Sequence, residues 1–532
     1  MTLEEFGRNF FDPDRRLTSI GGGSIGGKAQ GLVDASEILT AKFPAEKFLD
    51  LPVNIPAFTV IRTDVFDEFL QRNELEKIAY SDAPDDVIAL EFQRASLPAE
   101  ILGDLRALIQ KVHQPLAIRS SSLLEDSLQQ PFAGVYMTKM IPNNQPSADE
   151  RFRKLSEAIK LVYASAFSRS AKDYLRAIQK DPREEKMAVL IQEVVGSRFG
   201  DRFYPEISGV ARSYHFYATG RARPEHGVVS LALGLGKTIV DGGKCWTYSP
   251  AFPTLMPPST TAELLDQTQV HFWAVNMGKP PAYDPIQETE YLLHLMHTDA
   301  EADGALNLLA STYDPQSDRL SMGTTKAGPR ILDFSGILRL KEIPLNDVVK
   351  VLLQICAEHL LEPVEIEFAV TLHPRRLGLL QVRPMAVPGE TVEINERELT
   401  GSDLLLASEN VLGNGRVNDI HDILFVRPDR FNAKHSKQIA FEIEAMNRHL
   451  LEEKKPYILI GFGRWGSSDP WLGIPVTWGQ VSGAKSIVEA TLENMNIDLS
   501  QGSHFFHNLL SFQVTYFCVP HSGKYEINWK WL

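Results

Sequence analysis

The sequence predicts a mixed fold, α+β with α/β character, built from more than one domain, and three observations lead there. At 532 residues the chain exceeds what one hydrophobic core ordinarily serves, so two to four domains are expected. Short apolar runs such as Met187 to Val195 (MAVLIQEVV) alternate with stretches of helical spacing, such as Phe152, Leu155, Ile159, Val162, Phe167 and Leu175. The polar run PGETVEINERE at 388–398 then separates a long N-terminal part from a shorter C-terminal part with strand and helix patterns of its own.

Composition bounds the function. Hydrophobic residues at 43% and charged residues at 23% are those of a folded chain. A formal charge of −14 argues against a general binder of nucleic acid or of anionic membranes, since neither surface attracts the average face of such a molecule. Cys245, Cys356 and Cys518 are odd in number and far apart, which fits a reducing compartment and neither a disulfide framework nor a structural zinc site. The opening MTLEEFGRNFFDPDRR is acidic and polar, and no stretch reaches the ~18 uninterrupted apolar residues of a membrane span, so a cytoplasmic protein is expected. The closing KYEINWKWL carries no obvious terminal cap, which leaves open a longer parent chain; whether the protein is a homo-oligomer is not legible.

Taken in order, the chain first presents TSIGGGSIGGKA (Thr18 to Ala29), where glycines allow close backbone approach to a ligand and Lys28 follows them. The spacing is not that of a P-loop, because no Ser or Thr follows Lys28, and a loop capping the helix of Leu32 to Leu39 is an equal reading. Val53 to Leu70 reads as a strand turning into a helix capped by Thr63 or Asp64. Leu116 to Ile118 deliver Arg119, Ser120, Ser121 and Ser122; Glu125-Asp126 follow, and Phe132-Ala133-Gly134 opens another strand. A guanidinium fork and hydroxyls suit a polyanion, whereas the plainer reading is a solvated loop with an ordinary salt bridge.

One amphipathic helix is expected between Ala148 and Gln179, and a buried strand at Met187 to Val195. Two or three strands fill Ser208 to Val240, closing in the glycine turn Gly234 to Gly236. Helical patterns and Pro-containing loops are expected over about 250–350, then a helix at Lys350 to Leu361. The next pair of strands holds Glu365 and Glu367 on one, Gln381 and Arg383 on the other. Alternate residues share a face across a hairpin, so these oxygens suit Mg²⁺ shared with substrate phosphates; an edge hairpin with a Glu–Arg pair fits equally.

In that order the motifs GGK, AIRSSS..ED......FAG, IQEVV, SGV, GLG and EIEFA…LLQVRP resemble the nucleotide-binding domain of pyruvate phosphate dikinase and phosphoenolpyruvate synthase, an ATP-grasp relative, over roughly residues 18 to 388. The resemblance implies an ATP-grasp-like unit over 1–390 with a subdomain break near 190–200. It implies that Lys28 and Arg119 hold ATP phosphates, that Gln192, Glu193 and Val195 line an adenine slot, and that Gly234 to Gly236 cover the nucleotide. Glu367 and Gln381 would coordinate Mg²⁺, Glu365 supporting, with Arg383 touching the transferring phosphate.

Two departures stand out. Met137 precedes Thr138 where the family usually has an acidic residue, and Lys237 follows Gly234-Leu235-Gly236 where it commonly has Glu, so that Lys237 either reverses a charge or replaces a phosphate contact. Residues 391–532, a smaller α/β domain, faintly resemble the family's swivelling histidine domain. The phosphorylated histidine is absent, Ser467-Ser468-Asp469-Pro470 standing in its place, and the chain is too short for the pyruvate-binding barrel. His504 and His507 share a face if their segment is helical and are candidate acceptors, or simply packed residues. The expectation is an ATP- and Mg²⁺-dependent phosphotransferase acting on an unknown small-molecule or protein acceptor; an ATP-grasp-type ligase and an ATP-binding regulatory module remain open.

Overall fold

The computed structural model describes residues 3–8, 17–125, 134–178, 180–216, 218, 221–255, 260–385, 387, 394–399, 401, 403–413, 416–467, 469, 471–493, 495, 505, 508–509, 512 and 514–532. A six-stranded sheet carries the first half of the site, in the order Glu4–Glu5, Leu17–Ile20, Phe58–Ile61, Met187–Glu193, Leu116–Ser122, Thr138–Ile141. The first three strands are parallel and the remaining pairings antiparallel. Met187–Glu193 lies inside this sheet with nearly every residue buried, so MAVLIQE reads as a continuous apolar run and does not alternate.

The helical stretch after Ala148 divides in two, Ala148–Ser165 and Arg169–Ala177, because Ser168 interrupts it. The Ser168 hydroxyl caps the second helix, accepting from the Ala171 N–H at 3.3 Å. Phe167 and Leu175 are both buried, so the apolar period runs through the break. The helix after Phe58–Ile61 spans Thr63–Arg72 with Arg62 at its N-cap and no side-chain cap. Thr63 is not the cap that its chemistry suggests, because its hydroxyl accepts from the Ser24 N–H at 2.9 Å and secures the glycine loop.

A second six-stranded sheet runs Trp246–Tyr248, Val228–Ala232, Ile207–Arg212, Val364–Leu372, Arg375–Pro384, Val53–Asn54, antiparallel except at its last pair. The expected hairpin is there, with Glu365 opposite Arg383 and Glu367 opposite Gln381, the register shifting just after Glu367. The helix before it spans Leu345–Leu360. Where helical patterns and Pro-containing loops are expected over about 250–350, the described residues also hold five strands, His271–Asn276, Leu292–Met296, Ser311–Asp314, Arg319–Met322 and Arg330–Ile331, beside three short helices and the start of Leu345–Leu360. HFWAVN buries Phe272 and Ala274 on one strand face, a period of two that outweighs the local helical pattern.

Beyond the hairpin, a five-stranded sheet runs Asn410–Leu412, Thr515–Val519, Ala484–Ala490, Tyr457–Phe462, Asp422–Phe425, four of its strands parallel. The helix Ser436–Glu452 precedes the strand Tyr457–Phe462 in the chain. One hydrophobic cluster runs from Ile118 and Met187 of the first sheet into Tyr457 and Tyr516 of this one, with Trp465 of the neighbouring strand Arg464–Trp465. No helix among the described residues is long and apolar enough to cross a membrane.

Candidate functional site

The hydroxyls that end the Leu116–Ser122 strand fasten it to the glycine loop. Ser121 Oγ donates to the Ile25 carbonyl at 2.8 Å and accepts from the Ala29 N–H at 3.0 Å. Gly26 has φ +75°, and a Cβ there would lie 1.8 Å from the Ser121 carbonyl oxygen, so only glycine permits this approach. The helix Gly26–Lys42 therefore begins beside the strand end, with Lys28 in its first turn. Lys28 Nζ donates to Glu125 Oε1 at 2.6 Å and to Ser120 Oγ at 3.1 Å. Glu125, buried, also accepts from the Ser120 hydroxyl and the Ser122 N–H, both at 2.9 Å. Glu185 lies beside this cluster: burial, reinforced by the Glu125 charge, pushes its carboxyl up to about 7. No motif marks Glu185, and sequence reasoning passed over it. Asp126, Phe132 and Ala133 lie outside the described residues.

Arg119 joins the two sheets. Its Nη1 donates to Gln192 Oε1 at 3.2 Å, on the neighbouring strand, and to the Leu380 carbonyl at 3.0 Å, on the hairpin of the other sheet. Its Nη2 donates to Gln381 Oε1 at 2.8 Å and lies 3.6 Å from Glu367 Oε2, an ion pair too long for a hydrogen bond. The Arg119 and Glu367 side chains keep 13% and 14% of their surface exposed, so the pair borders solvent. The structure thus brings Arg119, Gln192, Glu367 and Gln381 together. The buried Gln192 also has an amide nitrogen without a partner, a donor available to a ligand.

Glu365 and Arg383 are placed differently from what the resemblance implies. Arg212, Glu365 and Arg383 stand directly across three adjacent strands, all buried. Glu365 Oε2 accepts from Arg212 Nε at 2.5 Å, while Oε1 accepts from Arg383 Nε at 2.9 Å and again from Arg383 Nη2. With guanidinium groups on both its oxygens, Glu365 offers no set of lone pairs to a metal ion in this arrangement. Arg383 faces Glu365, which takes it away from the phosphate contact expected of it. A hairpin alternates faces, but which carboxylate meets an arginine is decided by the third strand, Ile207–Arg212, which the sequence does not announce.

The donor set fits a hard divalent cation in part. Glu367 and Gln381 supply one carboxylate and one amide oxygen within reach of the same guanidinium, and Mg²⁺ ordinarily takes one or two carboxylates and completes its shell with water and phosphate. Among the described residues no group of three or more His, Cys, Asp or Glu side chains gathers around one point.

The glycine turn is held from the opposite side. Gly234 has φ +81°, and a Cβ there would meet Phe272 and the Trp273 carbonyl at 2.7 Å, while the Leu235 N–H donates to that carbonyl at 2.9 Å. Gly236 precedes the short helix Lys237–Val240. Lys237 Nζ lies 3.0 Å from Asp241 Oδ2 and 4.0 Å from Glu288 Oε2. Burial lowers the Lys237 pKa, but the Glu288 and Asp241 charges outweigh it and leave the ammonium raised above its ordinary value. Glu288 Oε1 in turn accepts from the Thr138 N–H at 3.0 Å. Glu288 thus brings a carboxylate from far along the chain to the strand that follows Met137. No motif marks Glu288, and sequence reasoning missed it.

Glu193 ends its strand half-buried, and the buried Val195 packs against Gly378 of the hairpin, so both sit where the two sheets approach. His504 and His507 lie outside the described residues. A family model described as the pyruvate phosphate dikinase AMP/ATP-binding domain matches residues 23–401, covering the glycine loop, the Arg119 strand and the hairpin. The chain belongs to the pyruvate phosphate dikinase AMP/ATP-binding domain family.

Proposed function

We propose that the protein is an ATP- and Mg²⁺-dependent phosphotransferase, with an ATP-grasp-like nucleotide unit over 1–390 and an α/β unit over 391–532 that helps to hold the acceptor. The observation that carries this reading is the Arg119 junction, where a cation from one sheet meets Glu367 and Gln381 of the other within 3.6 Å. Phosphoryl transfer is mostly positioning and neutralisation of charge, so a cation and metal oxygens at one point are what it requires. Arg119 would bind phosphate oxygens through the edge now turned to Gln192 and Gln381. Lys28 would reach the same phosphates by exchanging Glu125 for them. Glu367 and Gln381 would hold Mg²⁺, which supplies charge neutralisation on the phosphates. The Glu365 triad would keep the hairpin rigid beneath them.

A second reading, an ATP-binding regulatory module, is favoured by one observation: Lys28 is already neutralised by Glu125 at 2.6 Å. An ATP-grasp-type ligase shares the same nucleotide site and differs only in its acceptor. Parallel incubation with β- and γ-labelled ATP separates transfer from binding alone, and identification of the acceptor-dependent product separates the ligase from the phosphotransferase. We expect label to leave ATP in a Mg²⁺-dependent way, and Arg119→Ala or Glu367→Ala to slow its release by at least about 100-fold. Undiminished release by the double variant would overturn the site, and ATP binding without release of label would favour the regulatory module.

A further inference from the structure

The segment after the glycine turn closes on itself. Gly236 leads into the short helix Lys237–Val240, and past it the Gly243 N–H donates back to the Thr238 carbonyl at 2.8 Å. A Cβ at Gly243 would lie 2.7 Å from that carbonyl oxygen, so the turn is too tight for a side chain. A pull on residues 242–243 is therefore felt at Thr238 and at its neighbour Lys237.

The pull comes from the C-terminal unit. Arg464, buried, donates through Nη1 to the Gly242 carbonyl at 2.8 Å and, at 3.4 Å, to the Gly243 carbonyl. A hydrogen bond from a buried guanidinium is among the stronger ties available to a backbone oxygen. The arginine is itself fixed from behind. Its strand, Arg464–Trp465, pairs with Gly473–Ile474, and the Arg464 and Gly466 N–H groups donate to the Leu472 and Ile474 carbonyls at 2.7 and 2.9 Å.

Docking of the C-terminal unit rests on a separate contact. The Trp478 and Phe512 rings stack 4.7 Å apart, and Phe512 meets Tyr174 of the helix Arg169–Ala177 at 5.4 Å. Gly479 sits so near that helix that a Cβ on it would come within 3.1 Å of Asp173 Cβ. Between these two holds the seam is open, with a cavity of about 320 Å³ that has Val240 and Asp241 on the turn side and Gly466 and Ser467 opposite. An unfilled seam leaves the turn room to shift, and the Arg464 bond restrains it.

We propose that Arg464 is a positioning residue for the nucleotide: from the C-terminal unit it holds the Gly234–Gly236 turn, and Lys237 with it, in place over the phosphates. This rests on the nucleotide-site reading, in which that turn covers ATP. The route is short, from Arg464 to Gly242, from Gly243 to Thr238, and from there to Lys237 along the chain. The coupling is reciprocal by linkage, so whatever factor the contact adds to ATP affinity, ATP adds to the contact.

The full-length chain is titrated with ATP and Mg²⁺ in a calorimeter, and near-UV circular dichroism reports whether the Trp478–Phe512–Tyr174 cluster is docked. We expect Arg464→Met, which keeps the apolar stem and removes the guanidinium, to weaken ATP binding about five- to twentyfold with the near-UV signal kept. Arg464→Lys should recover part of that affinity. In the wild type, ATP should slow hydrogen exchange at the Arg464 and Gly466 amides at least about fivefold, and this protection should be lost in Arg464→Met. A purely structural arginine would lower stability and leave both readouts unchanged. ATP affinity within twofold of the wild type in Arg464→Met, or wild-type amides that ATP does not protect, would overturn the proposal; if Arg464→Met fails to fold, the wild-type exchange measurement decides alone. Wild-type binding that is lost in Arg119→Ala leaves the nucleotide-site reading standing whatever Arg464 shows, whereas no saturable ATP binding by the wild type overturns both.

Discussion

Arg119 and Arg383 come from two strands of one site and meet opposite fates. Arg383 is buried, bound twice to one oxygen of Glu365, and shares that carboxylate with Arg212. Arg119 borders solvent, leans on neutral amide and carbonyl oxygens, and has its carboxylate only at 3.6 Å. The first arrangement satisfies its charges internally and holds strands together. The second leaves charge that a ligand can compete for, because amide oxygens are weaker partners than a phosphate. Two arginines that look alike in sequence therefore divide into a structural member and a ligand-facing one, according to whether a buried carboxylate saturates them.

The largest effect should come from breaking the buried side of this contrast. Glu365→Ala leaves Arg212 and Arg383 as adjacent buried cations, and breaking such a pair costs about 3–5 kcal/mol. Urea unfolding should show that loss; a stability within about 1 kcal/mol of the wild type would mean that the triad is not structural.

A second buried carboxylate extends the contrast to the C-terminal sheet. Burial pushes Glu489 up to about 7, while Tyr516, the Trp465 N–H at 2.8 Å and the Arg464 charge pull partly the other way. Its ordinary value is 4.5, so between about pH 4.5 and 7 the folded chain holds a proton that the unfolded chain has released. Stability should therefore fall as pH rises through that window and level off above it. Glu185, also near 7, adds a contribution of the same sign. Glu489→Gln should remove its share, at most about 3 kcal/mol, seen as a flatter midpoint-against-pH profile; an unchanged slope would exclude the assignment.

The smallest effect sharpens the contrast at its middle. Glu288 bridges the Thr138 N–H and Lys237 with about a third of its side chain exposed, neither saturated like Glu365 nor as loosely paired as Glu367. Glu288→Gln should alter stability by less than about 1 kcal/mol. It should nonetheless weaken ATP binding several-fold in calorimetry, by freeing the glycine turn. The swap Glu288→Lys with Lys237→Glu should recover part of that affinity, and a swap no better than either single change would show that the pair does not act as a unit.

How much could be read beforehand follows the range of the interactions. The hairpin and the Met187–Glu193 strand were legible, because periodicity and burial act within a few residues. The split at Ser168 and the Arg62 N-cap were not, since a hydroxyl's use depends on which backbone N–H approaches it. The strands of 250–350 were missed for a related reason: short segments such as His271–Asn276 are defined by their partners.

By itself, then, the sequence determined the order of the motifs, the family they signal, and the residue types able to meet phosphate and metal. Only the tertiary structure decided which of them are available. Glu365 is withdrawn by an arginine 153 positions earlier, Arg119 is exposed to a hairpin 261 positions later, and Glu288 reaches the Thr138 strand from 150 positions along the chain. Local pattern sets secondary structure through backbone and side-chain sterics, whereas a charge takes its role from whichever partner the fold brings within a few ångströms. That partner is not a local property of the chain.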